Sequence, residues 1–328
     1  MKKICSLVIL AALFSCNNDD SAIESNVQQS SLVSNRNQAA LNENFERVEV
    51  NSNQTLTSIS FMDEQNGVIC GSSGEAILTN DGGATWTHLG GPTDMSYTSA
   101  FMYDTRNIFG GRVALYKANS RNVMDTLGYL GRYTGAINEI YFSSPSDGFV
   151  IKGGGVLKTT DGGLNWSVSL SADHIKDLKI VSPDVFFAYG GATYDGASGG
   201  VLYVTFDRGA TWTNRRVPSL EIKAADFIDE NVGYIVDYVN NVYKTTDSGA
   251  TWTMIQSPPT RNYGSISSIL HISNQQMFMT SYDGYIYKSS DGGENWAIHS
   301  QYQTPLYEIY NIGRTLYVVG GNGLVLKN

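Results

Sequence analysis

Five aspartates recur in one eight-residue phrase of this chain, and repeated carboxylates could serve catalysis or bind calcium. The phrase is Ser/Thr-x-Asp-x-Gly-x-Thr/Asn-Trp, and each of the five tryptophans ends one copy. A catalytic residue has no reason to recur in every repeat, whereas an aspartate can accept hydrogen bonds from backbone N–H groups of its own turn. We therefore expect these residues to build hairpin turns: Asp81, Trp86, Asp161, Trp166, Asp207, Trp212, Asp247, Trp252, Asp291 and Trp296.

A second set of chemically capable residues combines tyrosines with neighbouring charged side chains. Tyrosine suits both glycan and protein ligands, because its ring is apolar and its hydroxyl group is polar. The alternative is that these tyrosines flank strands and pack between repeats. The candidate ligand residues are Tyr194, Asp195, Asp237, Tyr238, Arg261, Tyr263, Tyr282 and Asp283.

The sequence indicates neither a metal site nor a cofactor site. The four histidines form no i, i+2 or i, i+4 pair, so no metal centre is predicted. No glycine-rich phosphate loop connects a strand to a helix, so no cofactor is predicted. Asp195, Asp237 and Asp283 fall in corresponding loops, and a carboxylate pair that cleaves glycans is geometrically possible there. We assign no catalytic residue.

The spacing of the repeated phrase predicts the architecture. The tryptophans are separated by 80, 46, 40 and 44 residues, so one repeat is roughly 40 residues long. The interval of 80 is a doubled period that contains a degenerate copy, with Asn119 in place of the aspartate and Met124 in place of the tryptophan. Phe45 marks a further copy upstream. Repeats of this length with several short strands are typical of propeller blades, and the anchors indicate seven.

The last repeat contains three strand-like runs, and the sequence finishes at Asn328 where the next turn would begin. We expect the fourth strand to come from residues 45–50, FERVEV. The prediction is an all-β, seven-bladed β-propeller at residues 44–328, with its last blade closed by the N-terminal strand. Closure of this kind removes open sheet edges.

The segment TLTSISFMDEQNGVICGSSGEAILTNDGGATW, residues 55–86, shows the repeat most completely. It resembles the repeat of Asp-box (bacterial neuraminidase repeat) propellers, and it is most similar to the photosystem II assembly and stability factor-like family. The resemblance implies an extracytoplasmic propeller that binds another macromolecule on the loops opposite the Asp-box turns. Sialidase activity is not expected, because the chain contains no Arg-Ile-Pro start.

The N-terminus indicates where the protein resides. Lys2 and Lys3 precede an apolar run that ends at Phe14 and is too short to span a bilayer, as in a signal peptide. Leu13-Phe14-Ser15-Cys16 resembles a lipobox, which implies removal of residues 1–15 and lipidation of Cys16; an ordinary secretory peptide is the alternative. Residues 16–43 are rich in Asn, Ser and Gln, which predicts a flexible tether. The residues that follow Cys16 resemble the surface-export signal of Bacteroidetes-type lipoproteins.

Charge limits the choice of partner. Loss of residues 1–15 would leave 20 basic and 31 acidic residues, a net charge of −11, which argues against nucleic acid. We expect a monomeric, non-catalytic lipoprotein, anchored in the outer membrane and facing the cell surface or periplasm. Its expected role is assembly or scaffolding through a protein or polysaccharide partner. The alternative is a surface lipoprotein that binds or cleaves glycans.

Overall fold

Each repeat folds as a four-stranded antiparallel sheet, because short runs of β-branched and aromatic residues alternate with turns. The computed structural model describes residues 43–328 apart from 106, 129, 131–134, 193–198, 220 and 263–264, and it contains seven such sheets there. The predicted signal peptide, Cys16, Tyr194, Asp195 and Tyr263 lie outside the described residues.

The first four blades each use consecutive strands. Blade 1 contains β2 (Leu56–Phe61), β3 (Gly67–Gly71), β4 (Ala76–Thr79) and β5 (Thr87–His88), with a short 3-10 turn at Ser72–Gly74. Blade 2 contains β6 (Ser99–Asp104), β7 (Asn107–Gly111), β8 (Leu115–Ala118) and β9 (Met124–Gly128). Blade 3 contains β10 (Ile137–Phe142), β11 (Gly148–Lys152), β12 (Gly155–Thr159) and β13 (Ser167–Leu170). Blade 4 contains β14 (Ile175–Ile180), β15 (Phe186–Ala192), β16 (Gly199–Thr205) and β17 (Thr213–Arg215).

The last three blades complete the ring. Blade 5 contains β18 (Ile222–Phe227), β19 (Gly233–Asp237), β20 (Val242–Thr245) and β21 (Thr253–Ile255). Blade 6 contains β22 (Ile266–His271), β23 (Met277–Ser281), β24 (Tyr285–Ser289) and β25 (Ala297–Gln301). Blade 7 contains β26 (Leu306–Ile312), β27 (Thr315–Gly320) and β28 (Val325–Lys327), and its outer strand is β1 (Glu46–Val48).

The closure of blade 7 confirms the predicted seven-bladed fold. Val48 of β1 pairs with Val325 of β28 in antiparallel register, so the two ends of the chain share one sheet. The strand is shorter than the predicted residues 45–50. Phe45 nevertheless acts as the anchor, because its ring packs edge-on against Phe278 at 6.3 Å and His299 at 5.8 Å.

The hydrophobic core lies between neighbouring blades. The first strand of each blade is the innermost, and it packs against the first strands of the adjacent blades. Phe61 at the end of β2 is fully buried and stacks on Tyr317 of blade 7 with ring centroids 4.6 Å apart. The facing Gly67 leaves room for this ring, since a Cβ there would lie 2.5 Å from it. The described part of the chain includes no helix long and apolar enough to cross a membrane.

Candidate functional site

The five repeated phrases form one type of turn, here called the Asp turn. In the first, Thr79 Oγ1 donates to Asp81 Oδ1 at 2.8 Å and accepts from the Gly83 N–H at 2.8 Å. Asp81 Oδ1 also accepts from the Thr85 N–H at 2.9 Å. The same bonds recur around Asp161, Asp207, Asp247 and Asp291. These aspartates therefore hold their own turns together, as the sequence predicted.

Hydrogen bonds account for the acidity of these carboxyl groups. The Thr85 hydroxyl, followed by the Thr85 N–H, lowers the pKa of Asp81 to about 2. The Thr211 hydroxyl and N–H lower the pKa of Asp207 to about 2 in the same way. Both carboxylates are therefore ionised at neutral pH and engaged within the turn, which leaves them poorly suited to general acid–base catalysis.

The Asp turns define one face of the propeller. Gly162 in the turn of blade 3 donates its N–H to Ser146 O at 2.8 Å, and Gly82 in blade 1 donates to Gln65 O at 2.8 Å. Ser146 and Gln65 belong to the loops that follow the innermost strands, so those strands run towards this face. We call it the Asp-turn face. The opposite loop face carries the connections between the second and third strands and those between blades.

The loop face contains the candidates that the structure describes. Tyr238 and Tyr282 are 38% and 42% exposed, and Arg261 is also exposed. Tyr282 meets Tyr307 edge-on at 5.5 Å. Asp237, by contrast, is 1% exposed, and its Oδ1 accepts from the Val239 N–H at 3.0 Å. The Asp237 carboxylate thus stabilises a turn and is not presented to solvent.

A bridge of asparagines brings these residues together across blades 5 and 6. Asn240 Nδ2 donates to Asn262 O at 2.6 Å, and Asn262 Nδ2 donates to Asp283 Oδ2 at 3.1 Å. Arg261 precedes Asn262, and Tyr282 precedes Asp283. Tyr238, Arg261, Tyr282 and Asp283 therefore occupy one stretch of the loop face.

A cavity of about 620 Å³ lies inside the ring, in the channel bounded by the innermost strands. Its wall reaches the loops around Pro145 and Pro183 and the Asp turn at Arg208, so it extends to the Asp-turn face. None of the described candidates from the loop face lines it. The cavity is therefore a second candidate site, at the end of the molecule opposite to the predicted one.

The polar residues that face this channel were not predicted from the sequence. An innermost strand has a free edge, and its N–H groups must find acceptors. Ser58 Oγ accepts from the Ala100 N–H of the next blade at 3.3 Å, and Glu308 Oε2 accepts from the Ile59 N–H at 3.0 Å. Each acceptor occupies the third position of its innermost strand, Ser58 in β2 and Glu308 in β26. The residue type at this position differs between blades, so only its polarity could have indicated the channel.

Charged residues of four blades meet in the channel. Glu139, Asp177, Asp226 and Glu308 surround Lys179, and Tyr189 donates its hydroxyl to Asp177. Burial raises the pKa of Glu308 to about 7. Burial and the nearby Asp177 raise the pKa of Glu139. Burial alone would lower the pKa of Lys179, but the surrounding carboxylates raise it, so this ammonium is their built-in counterion.

Within the described residues, no group of three or more His, Cys, Asp or Glu side chains is placed to hold a metal ion. Cys70 is a buried free thiol in β3, and burial raises its pKa. Tyr97 is 1% exposed and packs against Tyr116 in the core, with ring centroids 5.4 Å apart.

Comparisons with known proteins agree with the propeller fold. Residues 177–317 match the family model described as photosynthesis system II assembly factor YCF48. The chain is similar to a solved structure of YCF48 bound to D1 peptide, at 16% identity and a TM-score of 0.70, over 88% of this chain and 98% of that one. YCF48 from Cyanidioschyzon merolae gives 16% identity and a TM-score of 0.69, again over 88% and 98%. The propeller is thus like that of the photosystem II assembly factor.

A structural relative of another kind is a catalytically inactive virginiamycin B lyase from Staphylococcus aureus with quinupristin. It is 12% identical with a TM-score of 0.65, and the match covers 87% of this chain and 98% of that chain. Because assembly factors and a lyase share this fold, the fold alone does not decide between binding and catalysis. A comparison with curated proteins gave no match.

Proposed function

We propose that this protein is a non-catalytic lipoprotein that binds a segment of a protein partner in the channel cavity, in an assembly or scaffolding role at the cell envelope. The observation that carries this proposal is the cavity of about 620 Å³ that opens to the Asp-turn face. Its volume lies within the range of sites that bury a small ligand or a few residues of a peptide. The relative described as YCF48 bound to D1 peptide supports a peptide ligand.

The walls of the cavity favour binding over catalysis. Glu308, Ser58 and Asp226 each accept a backbone N–H from the neighbouring innermost strand, at 3.0, 3.3 and 2.8 Å. These groups stabilise the ring, and their position is fixed by that role. In the described lining, Ser144 Oγ donates to Asp147 Oδ2 at 2.7 Å and accepts the Asp147 N–H at 2.8 Å, so this serine–carboxylate pair holds the loop between β10 and β11. A rigid wall of this kind suits recognition.

The proposal is tested by blocking one face at a time. The mature chain with Cys16→Ser would carry either Pro145→Cys, at the cavity mouth, or Tyr238→Cys, on the loop face. Each single cysteine would be labelled with a bulky maleimide, while Cys70 stays unreactive because it is buried. Peptides selected from a displayed random library should bind both unlabelled variants. The label at position 145 should abolish their retention, and the label at position 238 should leave it unchanged. The reverse pattern would contradict the proposal.

A second candidate function is polysaccharide binding at the loop face. The observation that favours it is the exposed Tyr282, 42% exposed, with its edge-on partner Tyr307 and the neighbouring Asp283. Aromatic rings beside a carboxylate can contact both the apolar and the hydroxyl-bearing parts of a sugar. The same two labelled variants test this function, because polysaccharide retention should be lost with the label at position 238 and kept with the label at position 145. Release of reducing ends would indicate cleavage.

A further inference from the structure

We propose that the channel cavity accepts a cationic group of the partner, such as a lysine or arginine side chain or an N-terminal ammonium, with its charge held between Glu139 and Glu308. This inference rests on the proposed function and specifies the ligand chemistry of the same site. Two features carry it, namely the order of aromatic and acidic residues along the channel and the balance of charge in its wall.

Glu139 and Glu308 lie deeper in the channel than the aromatic residues of the same strands. Innermost strands run towards the Asp-turn face, so a residue at the third position of a strand lies further from the mouth than one at the fifth. Glu139 and Glu308 hold third positions in β10 and β26, and Tyr141 and Tyr310 hold the fifth positions of the same strands. A group that enters from the Asp-turn face therefore passes the tyrosines before it reaches the carboxylates.

The aromatic residues form a collar near the mouth. The collar consists of Phe101 and Tyr103 of β6, Tyr141 of β10 and Tyr310 of β26, all of which line the cavity. Phe101 and Tyr141 meet edge-on with centroids 5.4 Å apart, so the side chains form a continuous surface between blades 2 and 3. The methylene stem of lysine or arginine packs well on such rings, and their faces attract a cation.

The charge in the wall is unbalanced towards acid. The charged and titratable groups that face the channel or pack directly behind it are Glu139, Tyr141, Asp147, Asp177, Lys179, Tyr189, Arg208, Asp226, His271, Glu308, Tyr103 and Tyr310. Arg208 is already paired with Asp184 at 3.0 Å, which leaves Lys179, at the fifth position of β14, as the counterion among the described lining residues.

Glu139 has the least compensation among these carboxylates. Asp177 accepts the Tyr189 hydroxyl, Asp226 accepts the His271 N–H and Glu308 accepts the Ile59 N–H. Glu139 is held by the N–H of its neighbour Ile140, and no side-chain donor in the described part of the chain is hydrogen-bonded to it. A carboxylate in such a place is costly to ionise unless a cation joins it.

Proton linkage follows from this arrangement. Because their pKa values are raised, the carboxyl groups of Glu139 and Glu308 keep their protons at a pH at which exposed carboxyl groups have lost theirs. A cation that enters stabilises the ionised forms and displaces these protons. Binding should therefore release protons near neutral pH, and affinity for the cation should increase as the pH rises through about 7.

The test uses matched peptides and calorimetry with the full-length protein in detergent. The probes are acetylated, amidated pentapeptides Gly-Ala-X-Ala-Gly, where X is arginine, citrulline, lysine, norleucine or glutamate. Arginine and lysine should bind roughly tenfold more tightly than citrulline and norleucine at pH 8, as expected for one partly buried charge pair. The difference should shrink at pH 6. A sixth peptide with glycine at X and a free N-terminus tests whether an ammonium at the chain end binds as well.

Variants separate the cavity from the rest of the surface. Glu139→Gln keeps the size of the side chain and removes its charge, so it should abolish the preference for arginine over citrulline. Glu294→Gln, which removes an exposed carboxylate in the Asp turn of blade 6, is the matched control and should preserve that preference. Glu308→Gln serves as a second test if Glu139→Gln fails to fold, because an amide oxygen can still accept the Ile59 N–H.

Three outcomes would overturn the inference: equal binding of arginine and citrulline peptides, preference for the glutamate peptide, or failure of every pentapeptide to bind at pH 8. An unchanged preference in Glu139→Gln would also overturn the assignment of the carboxylates. The proposed function is judged separately by the label at position 145. If the label at position 145 abolishes peptide retention while arginine and citrulline peptides bind equally, the peptide site is supported and the preference for a cation is not.

Discussion

At the residue scale, each Asp turn depends on a buried hydroxyl group as much as on its exposed carboxylate. Thr245 is 1% exposed, donates to Asp247 Oδ1 at 2.9 Å and accepts the Gly249 N–H at 2.9 Å. The buried N–H of Gly249 has no solvent to replace that acceptor. Loss of the hydroxyl group should therefore cost more than loss of an exposed partner of the same aspartate.

The first prediction compares two threonines of one turn. Thr245→Val should lower the free energy of unfolding by about 1–2 kcal/mol, because it leaves a buried N–H without an acceptor. Thr251→Val is the control, since the Thr251 hydroxyl is exposed and donates to Asp247 Oδ2 at 2.6 Å. It should cost less than about 0.5 kcal/mol. Urea unfolding measures both, and equal losses would show that the buried threonine has no special role.

A second residue-scale prediction concerns pH. Burial raises the pKa of Glu308 from 4.5 to about 7, so the folded protein keeps a proton that the unfolded chain has released between these values. Stability should therefore fall as the pH rises from about 4.5 to 7. Glu308→Gln removes this contribution, so the free energy of unfolding should depend less on pH. The difference between its values at pH 5 and pH 8 should shrink by on the order of 1–2 kcal/mol, a range that allows for water in the channel.

Thermal unfolding at several pH values checks this sign. Glu294→Gln, in the Asp turn of blade 6, removes an exposed carboxylate and should leave the pH profile close to that of the original protein. A steeper profile for Glu308→Gln than for the original protein would mean that the channel favours the ionised carboxylate. The lowered pKa values of Asp81 and Asp207 act in the opposite sense, and their stabilisation should be lost as the pH falls from about 4 to 2.

At the scale of elements, strand edges explain two features of the ring. The innermost edges are satisfied by acceptors from the preceding blade, as Ser60 accepts the Met102 N–H at 3.2 Å. The outer edge of β28 is covered by β1, which comes from the other end of the chain. Glu43 strengthens the attachment through an ion pair with Lys288 at 2.5 Å. The short strand β1 is thus the element that closes the propeller.

The third prediction follows from this closure. A chain that begins at residue 51 loses β1, the half-buried Phe45 and the buried Val50, which together should cost about 3–5 kcal/mol. The midpoint of thermal unfolding should fall by roughly 5–10 °C, and the exposed edge of β28 should promote association. A chain that begins at residue 43 is the control and should unfold as the longer protein does. Identical midpoints measured by calorimetry would show that closure contributes little.

At the scale of the whole molecule, function is expected where the repeats differ from one another. The Asp turns are nearly identical in five blades, which matches a structural role. The channel residues differ from blade to blade, with Ser58, Glu139, Asp177 and Glu308 at equivalent third positions. The acidic side chains of the channel come from blades 3, 4, 5 and 7, so the wall of the channel varies around a regular scaffold.

The fourth prediction concerns the proposed membrane anchor. Cys16→Ala should move the protein from the membrane fraction to the soluble fraction, because it removes the residue that resembles the lipidated cysteine of a lipobox. Cys70→Ala is the matched control and should not change the distribution, since Cys70 is buried in β3. Fractionation with immunoblotting measures both variants. Persistence of the Cys16→Ala variant in the membrane would contradict the lipoprotein assignment.

The sequence was sufficient to predict the propeller because its anchors repeat at a fixed period. Even the degenerate copy at Asn119 folds as expected, since Asn119 Oδ1 accepts the Val123 N–H at 3.2 Å as an aspartate would. The site was less predictable. Asp237 looked like a ligand residue because it lies beside Tyr238 in a predicted loop, yet its carboxylate bonds to its own turn. Glu139 and Glu308 gave no signal because their role depends on neighbouring blades, which a single repeat does not reveal.

The most direct test of the central claim is site-specific photo-crosslinking in the native envelope, with p-benzoylphenylalanine at position 145 beside the cavity and at position 238 on the loop face. Mass spectrometry would identify the attached segment. The account predicts that position 145 captures one segment of one protein, that this segment carries a lysine, an arginine or a free N-terminus, and that position 238 does not capture it. Capture of the partner at position 238 alone, or of polysaccharide in place of protein, would contradict the account.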